Sequence, residues 1–196
     1  MKKIYKFMVT TILVAISSLP GTLLAESNLV TGTGNLTTNA RLNLRVTIPQ
    51  FLFFRVGTVG GSVDQITFAP AAANVGDSSS ISGSGGDAAS GSGASVALRS
   101  NAGAITITED NNGTGSGLSN GAGGNISLSE ITVTSDNPSL DTPTLSDAGN
   151  LGTSSPSLNA GNVTNRTAVW TYAYDNTTTP DEGNYDIEIT YTAAHF

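Results

Sequence analysis

From Arg41 to Ile48 polar and aliphatic residues alternate without a break, with Leu42, Leu44, Val46 and Ile48 set between Arg41, Asn43, Arg45 and Thr47. A period of two places the four aliphatic side chains on one face of a strand. Leu36, Thr38 and Ala40 extend the same face backwards, and Pro49 ends the pairing because it has no N–H to give. Phe51 to Val56 is apolar at both parities, which predicts a central strand covered on both sides. Val63, Ile66 and Phe68 predict a third strand, ended by Pro70.

Further along, Val96 and Leu98 are followed by Asn101-Ala102-Gly103 and then by Ile105 and Ile107. Residues 94–109 therefore read as a hairpin. Ile126 and Leu128 share one parity while Ile131 and Val133 share the other, so a bulge near Ser129-Glu130 is expected. The chain closes with Ala168 to Tyr174, a loop through Pro180, and Tyr185, Ile187, Ile189 and Tyr191 in strict alternation. That pattern predicts a second hairpin with aromatic side chains lining it. Residues 71–94, 110–124 and 135–162 are rich in Gly, Ser, Asn and Ala and read as surface loops, the last with a short edge strand at Leu151. About eight short strands, long Gly/Ser/Asn-rich loops and no helical period predict an all-β fold, an antiparallel sandwich of immunoglobulin type.

Residues 1–25 stand outside this pattern. Lys2, Lys3 and Lys6 precede a largely apolar run from Phe7 to Leu19, and Ala25 closes the segment with a small residue. The plan is that of a cleaved secretory signal peptide, the apolar run being too short to span a bilayer. Residues 26–196 are then one exported domain, destined for the periplasm, the cell surface or the medium. Its charge is five arginines against fifteen acids, a net of −10 with no lysine. So acidic a chain has no footprint for nucleic acid or anionic lipid, and it has no second apolar stretch of membrane length. It has no cysteine either, so its stability must come from a core rather than from disulfides.

Candidate chemistry is sparse. Gly117-Leu118-Ser119-Asn120-Gly121 has the spacing of a nucleophile elbow, but it lies in a Gly/Asn loop, and the single histidine is His195. Asp110, Asn112 and Thr114 start a calcium-loop pattern that lacks its closing glutamate at Gly121. One histidine and no cysteine give no zinc ligand set, and no dinucleotide or phosphate-loop motif occurs, so neither a cofactor nor a metal is expected. Asp186 and Glu188 share the wet face of the last strand, opposite Ile187 and Ile189. Trp170, Tyr172 and Tyr174 fit a core stripe better than a carbohydrate platform. Arg41, Arg45 and Arg55 could pair with acidic loops of the same molecule or with an acidic neighbour across an interface.

Gly183 stands fourteenth from the end, followed at period two by Tyr185, Ile187, Ile189 and Tyr191. This strand resembles the C-terminal signature of chaperone–usher fimbrial subunits. His195 stands where that signature has a penultimate tyrosine, and the disulfide many such subunits carry is absent. The resemblance implies assembly by strand exchange, in which an N-terminal extension of one subunit completes the sandwich of the next. Leu36, Ala40, Leu42, Leu44, Val46 and Ile48 would form the exchanged segment, and the partners would be other surface subunits or copies of the chain, with a periplasmic chaperone. The expected function is that of a structural or adhesive surface protein rather than an enzyme. The alternative is a soluble exported binding module that uses its Gly-rich loops or the Trp170 face for a glycan or protein. A small outer-membrane barrel is disfavoured, because the residues in phase with Phe196 are Ala194, Thr192, Thr190 and Glu188.

Overall fold

A computed structural model describes residues 27–112, 115–149 and 152–195, so the expected signal peptide, Thr114 and the edge strand at Leu151 lie outside the described residues. In chain order the strands are β1 (Leu52–Val56), β2 (Ile66–Thr67), β3 (Ile81–Ser82), β4 (Ser84–Gly85), β5 (Gly93–Ser100), β6 (Ile105–Asp110), β7 (Leu118–Ser119), β8 (Asn125–Ile126), β9 (Ile131–Ser135), β10 (Thr153–Ser154), β11 (Thr164–Tyr174) and β12 (Thr190–His195). The protein is all-β, and every pairing between these strands is antiparallel. One sheet runs β1-β5-β11-β3, with β9 also on β11; a second runs β10-β6-β12; β2-β4 and β7-β8 are small pairs.

The chain divides into a unit that ends at Ile48 and a compact body, Pro49–Phe196. In the body the inward residues of both larger sheets meet in one cluster. Val96 and Leu98 come from β5, Ile105 and Ile107 from β6, Ala168 and Trp170 from β11, and Leu140 from a loop. Phe54, Val56, Val133, Tyr172, Tyr191 and Ala193 pack around it. Alternation explains this directly, since Val96 pairs with Ala168 and Leu98 with Phe54 across neighbouring strands, all on one face.

Neither expected hairpin forms. β5 and β6 belong to different sheets, because both edges of β5 are already taken by β1 and β11. The turn between them is tied to the start of β1: Phe51 N donates to Asn101 Oδ1 at 2.8 Å, and Asn101 Nδ2 donates to Pro49 O at 2.9 Å. β11 and β12 are likewise divided between sheets, and their aromatics meet across the core, Trp170 edge-on to Tyr191 with centroids 5.1 Å apart. β1 is an edge strand rather than a central one, and Phe53 is exposed on its outer face beneath the Arg99 guanidinium, 6.0 Å from the ring centre.

The loops are more structured than their composition suggests. Within 71–94, β3 pairs with β11 and β4 with β2, and buried Asn176 fastens the preceding turn, its Oδ1 accepting from Gly76 N at 3.0 Å and its Nδ2 donating to Asn74 O at 2.7 Å. Within 135–162, Leu140, Pro143 and Leu145 are buried, and the Trp170 indole donates to Leu140 O at 3.1 Å. Where a bulge was expected, Leu128–Glu130 form a 3-10 turn that changes the parity instead. Glu130 lies buried there and accepts from Thr177 N at 2.8 Å.

Candidate functional site

Two surfaces carry the residues singled out by the sequence, one in each unit. The first is the segment before Pro49. The strand expected over Leu42–Ile48 is absent, and no ladder forms among residues 27–48. Leu42, Leu44, Val46 and Ile48 are 72–87% exposed, and Leu36 and Ala40 are exposed as well. The reason is simple. Alternating aliphatics hold a strand only when a dry surface and a neighbouring ladder receive them. Four large aliphatic side chains in a row, left in water, are unusual on a protein surface.

The second surface is the free edge of the C-terminal strand. Glu109 N donates to Gly152 O, on the β10 side of β6. Backbone groups alternate direction along a strand, so Thr106, Thr108 and Asp110 turn theirs towards β12. Their partners Ala194, Thr192 and Thr190 therefore face β6. Asp186 has the same parity and exchanges two backbone hydrogen bonds with Ser119, of 3.0 and 3.1 Å. Within β12 the odd-numbered residues Tyr191, Ala193 and His195 point to the opposite edge, and no strand among the described residues pairs there. Residues 187–189, between the Asp186 bridge and β12, belong to no ladder, so the strand expected from Tyr185 starts only at Thr190.

Side-chain burial along this segment follows the alternation predicted for it. Tyr185, Ile187, Ile189 and Tyr191 are half-buried, while Gly183, Asp186, Glu188, Thr190 and Thr192 are exposed. The apolar row is thus covered from one side only. At its far end Tyr191 packs on the Trp170 ring, and its hydroxyl lies 3.2 Å from that of Tyr172. Burial pushes the Tyr191 phenol well above its ordinary value near 10, and the neighbouring Tyr172 and the buried Glu109 add to the shift. Tyr172 is raised by its own burial. Both phenols stay neutral at any physiological pH and act as packing groups.

The other motifs take structural places. Ser119 Oγ accepts from Gly121 N at 3.2 Å inside its turn, and His195 pairs with Ile105 at the far end of β12. Asp110 Oδ1 accepts from Asn112 N at 2.8 Å and closes its own turn. Among the described residues no group of three carboxylate or imidazole side chains is disposed to hold a metal ion. Trp170 is fully buried, so it offers no stacking platform to a glycan. A polar cleft of about 340 Å³ lies between the 111–125 loops and the C-terminal segment, lined among others by Asn111, Ser119, Asp186 and Glu188. It lies on the side where Asp186 bonds to Ser119, and its position would not have been found from spacing alone.

No family model matches the chain, and no curated protein or solved structure is significantly similar to it. No helix among the described residues is long and apolar enough to cross a membrane.

Proposed function

We propose that the chain is a subunit of an exported surface assembly, of fimbrial type, joined to its neighbours by strand addition. On this reading β1, β5, β11 and β9 form one layer and β10, β6 and β12 the other. They make an immunoglobulin-like sandwich that lacks the strand due beside β12. The segment before Pro49 supplies that strand to a neighbour. The carrying observation is an exposed aliphatic row, Leu42 to Ile48, alongside a half-buried apolar row, Tyr185 to Tyr191, that leads into the free edge of β12.

Physical size favours the reading. Taking Leu42, Leu44, Val46 and Ile48 out of water is worth ~1.5–3 kcal/mol each, roughly 6–12 kcal/mol together. That is as large as the net stability of a typical domain, about 5–15 kcal/mol. A free strand edge beside an apolar row is also an aggregation hazard unless something covers it. Strand addition removes both liabilities with one contact. The C-terminal resemblance to chaperone–usher subunits points the same way.

The test is the assembly state of the exported chain. Oligomers that resist SDS at room temperature and fall apart on heating are expected, and Leu44→Asp should abolish them. A monomer at every concentration, unchanged in melting temperature by Leu44→Asp, would count decisively against strand addition.

A further inference from the structure

We infer that the outer face of the sheet formed by β1, β5, β11 and β9 carries a binding site for an acidic monosaccharide. Arg55 receives its carboxylate, and Ser95, Thr167 and Asp136 receive its hydroxyl groups. The site goes beyond strand addition and does not depend on it, since β12 belongs to the other large sheet. Alternation decides which side chains stand there. Phe54, Val56, Val96, Leu98, Ala168 and Trp170 turn into the core, so Arg55, Ser95, Ala97, Thr167 and Val169 turn outward. Arg55 pairs with Ala97 and Ala97 with Thr167, which sets these three in one row across β1, β5 and β11. Ser95 and Val169 form the next row. Asp136 extends that row past the end of β9: its N–H donates to Val169 O at 3.2 Å, and Val169 N donates to Asp136 Oδ1 at 2.8 Å.

A cleft of about 250 Å³ is lined by Arg55, Ser95, Thr167, Val169 and Asp136. Neighbouring strands lie ~4.8 Å apart, so three spacings anchor Arg55 and Asp136 roughly 14 Å from each other across the sheet. The side chains between them are short, and the hollow follows from that. Its volume is just below the roughly 300–1,000 Å³ of sites for drug-sized ligands, which suits a single ring rather than a chain of them.

Arg55 itself is the second observation. Residues 49–196 hold three arginines and fourteen acids, so carboxylates are plentiful around it. Arg55 nevertheless makes no ion pair and no hydrogen bond with any described residue. Its Nε is enclosed without an acceptor, a costly state for a charged donor. The two outer nitrogens are not enclosed, and together they present the planar fork that matches a carboxylate with parallel N–H donors. Arg99 on the same face is occupied differently, its guanidinium lying over the Phe53 ring.

The rest of the lining sets what else the ligand carries. The Ser95 and Thr167 hydroxyls make no hydrogen bond with a described residue, and each both donates and accepts. Asp136 keeps Oδ2 for a ligand hydroxyl after Oδ1 has taken the Val169 amide. The same carboxylate repels a second negative charge, in a body whose net is 3 − 14 = −11. A dianionic phosphate is thereby disfavoured. One carboxylate on a hydroxyl-bearing ring, a hexuronate, meets every group in the cleft.

The test titrates the chain from residue 26 onward, labelled with nitrogen-15, with glucuronate, glucose, acetate and inorganic phosphate. Glucuronate should move the amide signals of Ser95, Thr167 and Val169 saturably, and the other three should bind on the order of tenfold more weakly or worse. Arg55→Gln should weaken glucuronate by about tenfold or more in a chain that still melts cooperatively. Thr167→Val lies on an exposed position and keeps the side-chain shape, so it should weaken glucuronate a few-fold and leave acetate unchanged. A folded chain with no saturable response to glucuronate would overturn the site. Binding that persists unchanged in Arg55→Gln would overturn it as well. Phosphate or acetate binding as tightly as glucuronate would overturn the ligand class. None of these outcomes touches strand addition, which Leu44→Asp tests separately.

Discussion

Trp170→Ala is the substitution whose consequence can be worked out most fully from the structure. Trp170 is fully buried at the point where the two large sheets meet. Its removal costs about 3–5 kcal/mol in lost transfer and cavity formation. Two specific contacts move the figure towards the upper end. The edge-on packing with Tyr191, centroids 5.1 Å apart, contributes roughly 0.5–1.5 kcal/mol beyond its area. The indole N–H donates to Leu140 O at 3.1 Å, but that carbonyl also accepts from Ser135 Oγ at 2.9 Å and is not orphaned. Losing the indole bond therefore costs only about 0.5–1.5 kcal/mol. A loss near 5 kcal/mol, with a urea dependence of ~2 kcal/mol/M, lowers the midpoint by about 2–3 M. Urea unfolding followed by far-ultraviolet circular dichroism gives the number, and Trp170→Phe should lose about half as much. A midpoint within a few tenths molar of the parent, with an unchanged slope, would refute the placement of Trp170 as the joint between the sheets.

Three further outcomes are expected. Asn176 has φ of 53° and joins Gly76 N to Asn74 O, so Asn176→Ala should cost roughly 2–4 kcal/mol and speed hydrogen exchange at Gly76. Gly152→Ala would drive a Cβ into the Thr144 carbonyl oxygen, so it should cost about 1–3 kcal/mol or more of stability, read as a lower melting temperature and faster exchange in β10. The neutral Tyr191 and Tyr172 phenols bind their protons more tightly folded than unfolded, so stability is full below about pH 10 and falls as pH rises through their raised values. Melting temperature against pH measures this, and Tyr191→Phe should flatten the fall.

Much of the fold is legible where two-residue alternation is strict. Tyr185 to Tyr191 turn alternately inward and outward as their pattern dictates, and Trp170 is core because its strand faces another aromatic one. Alternation names a face, however, and not a partner. That is why Leu98 and Ile105, close in sequence across an Asn-Ala-Gly turn, belong to different sheets: edges already occupied by β1 and β11 decide the matter. The core residues Leu140, Pro143 and Leu145 were hidden for a different reason. They are isolated among Ser, Thr and Asp, so no local period marks them; Leu140 joins the core cluster and its carbonyl takes the Trp170 indole hydrogen bond.

The candidate site was half legible. The row Leu42 to Ile48 announces a need for burial, and its sequence has no term for whether the cover comes from its own body or from a neighbour. The structure adds exposure of that row, and a free edge that only three-dimensional pairing reveals.

The most direct measurement uses the chain from residue 26 onward carrying Leu44→Asp and Val46→Asp, which under the proposed strand addition receives a strand but does not donate one, melted with increasing amounts of a synthetic peptide of residues 36–48. A ligand at a hundred times its dissociation constant stabilises by about 2.7 kcal/mol. For a chain of this size that is a rise of about 5–10 °C, expected to grow with peptide concentration and to vanish for a peptide with aspartate at positions 44 and 46. A folded receiver whose melting temperature does not move at any peptide concentration would contradict strand addition at the β12 edge.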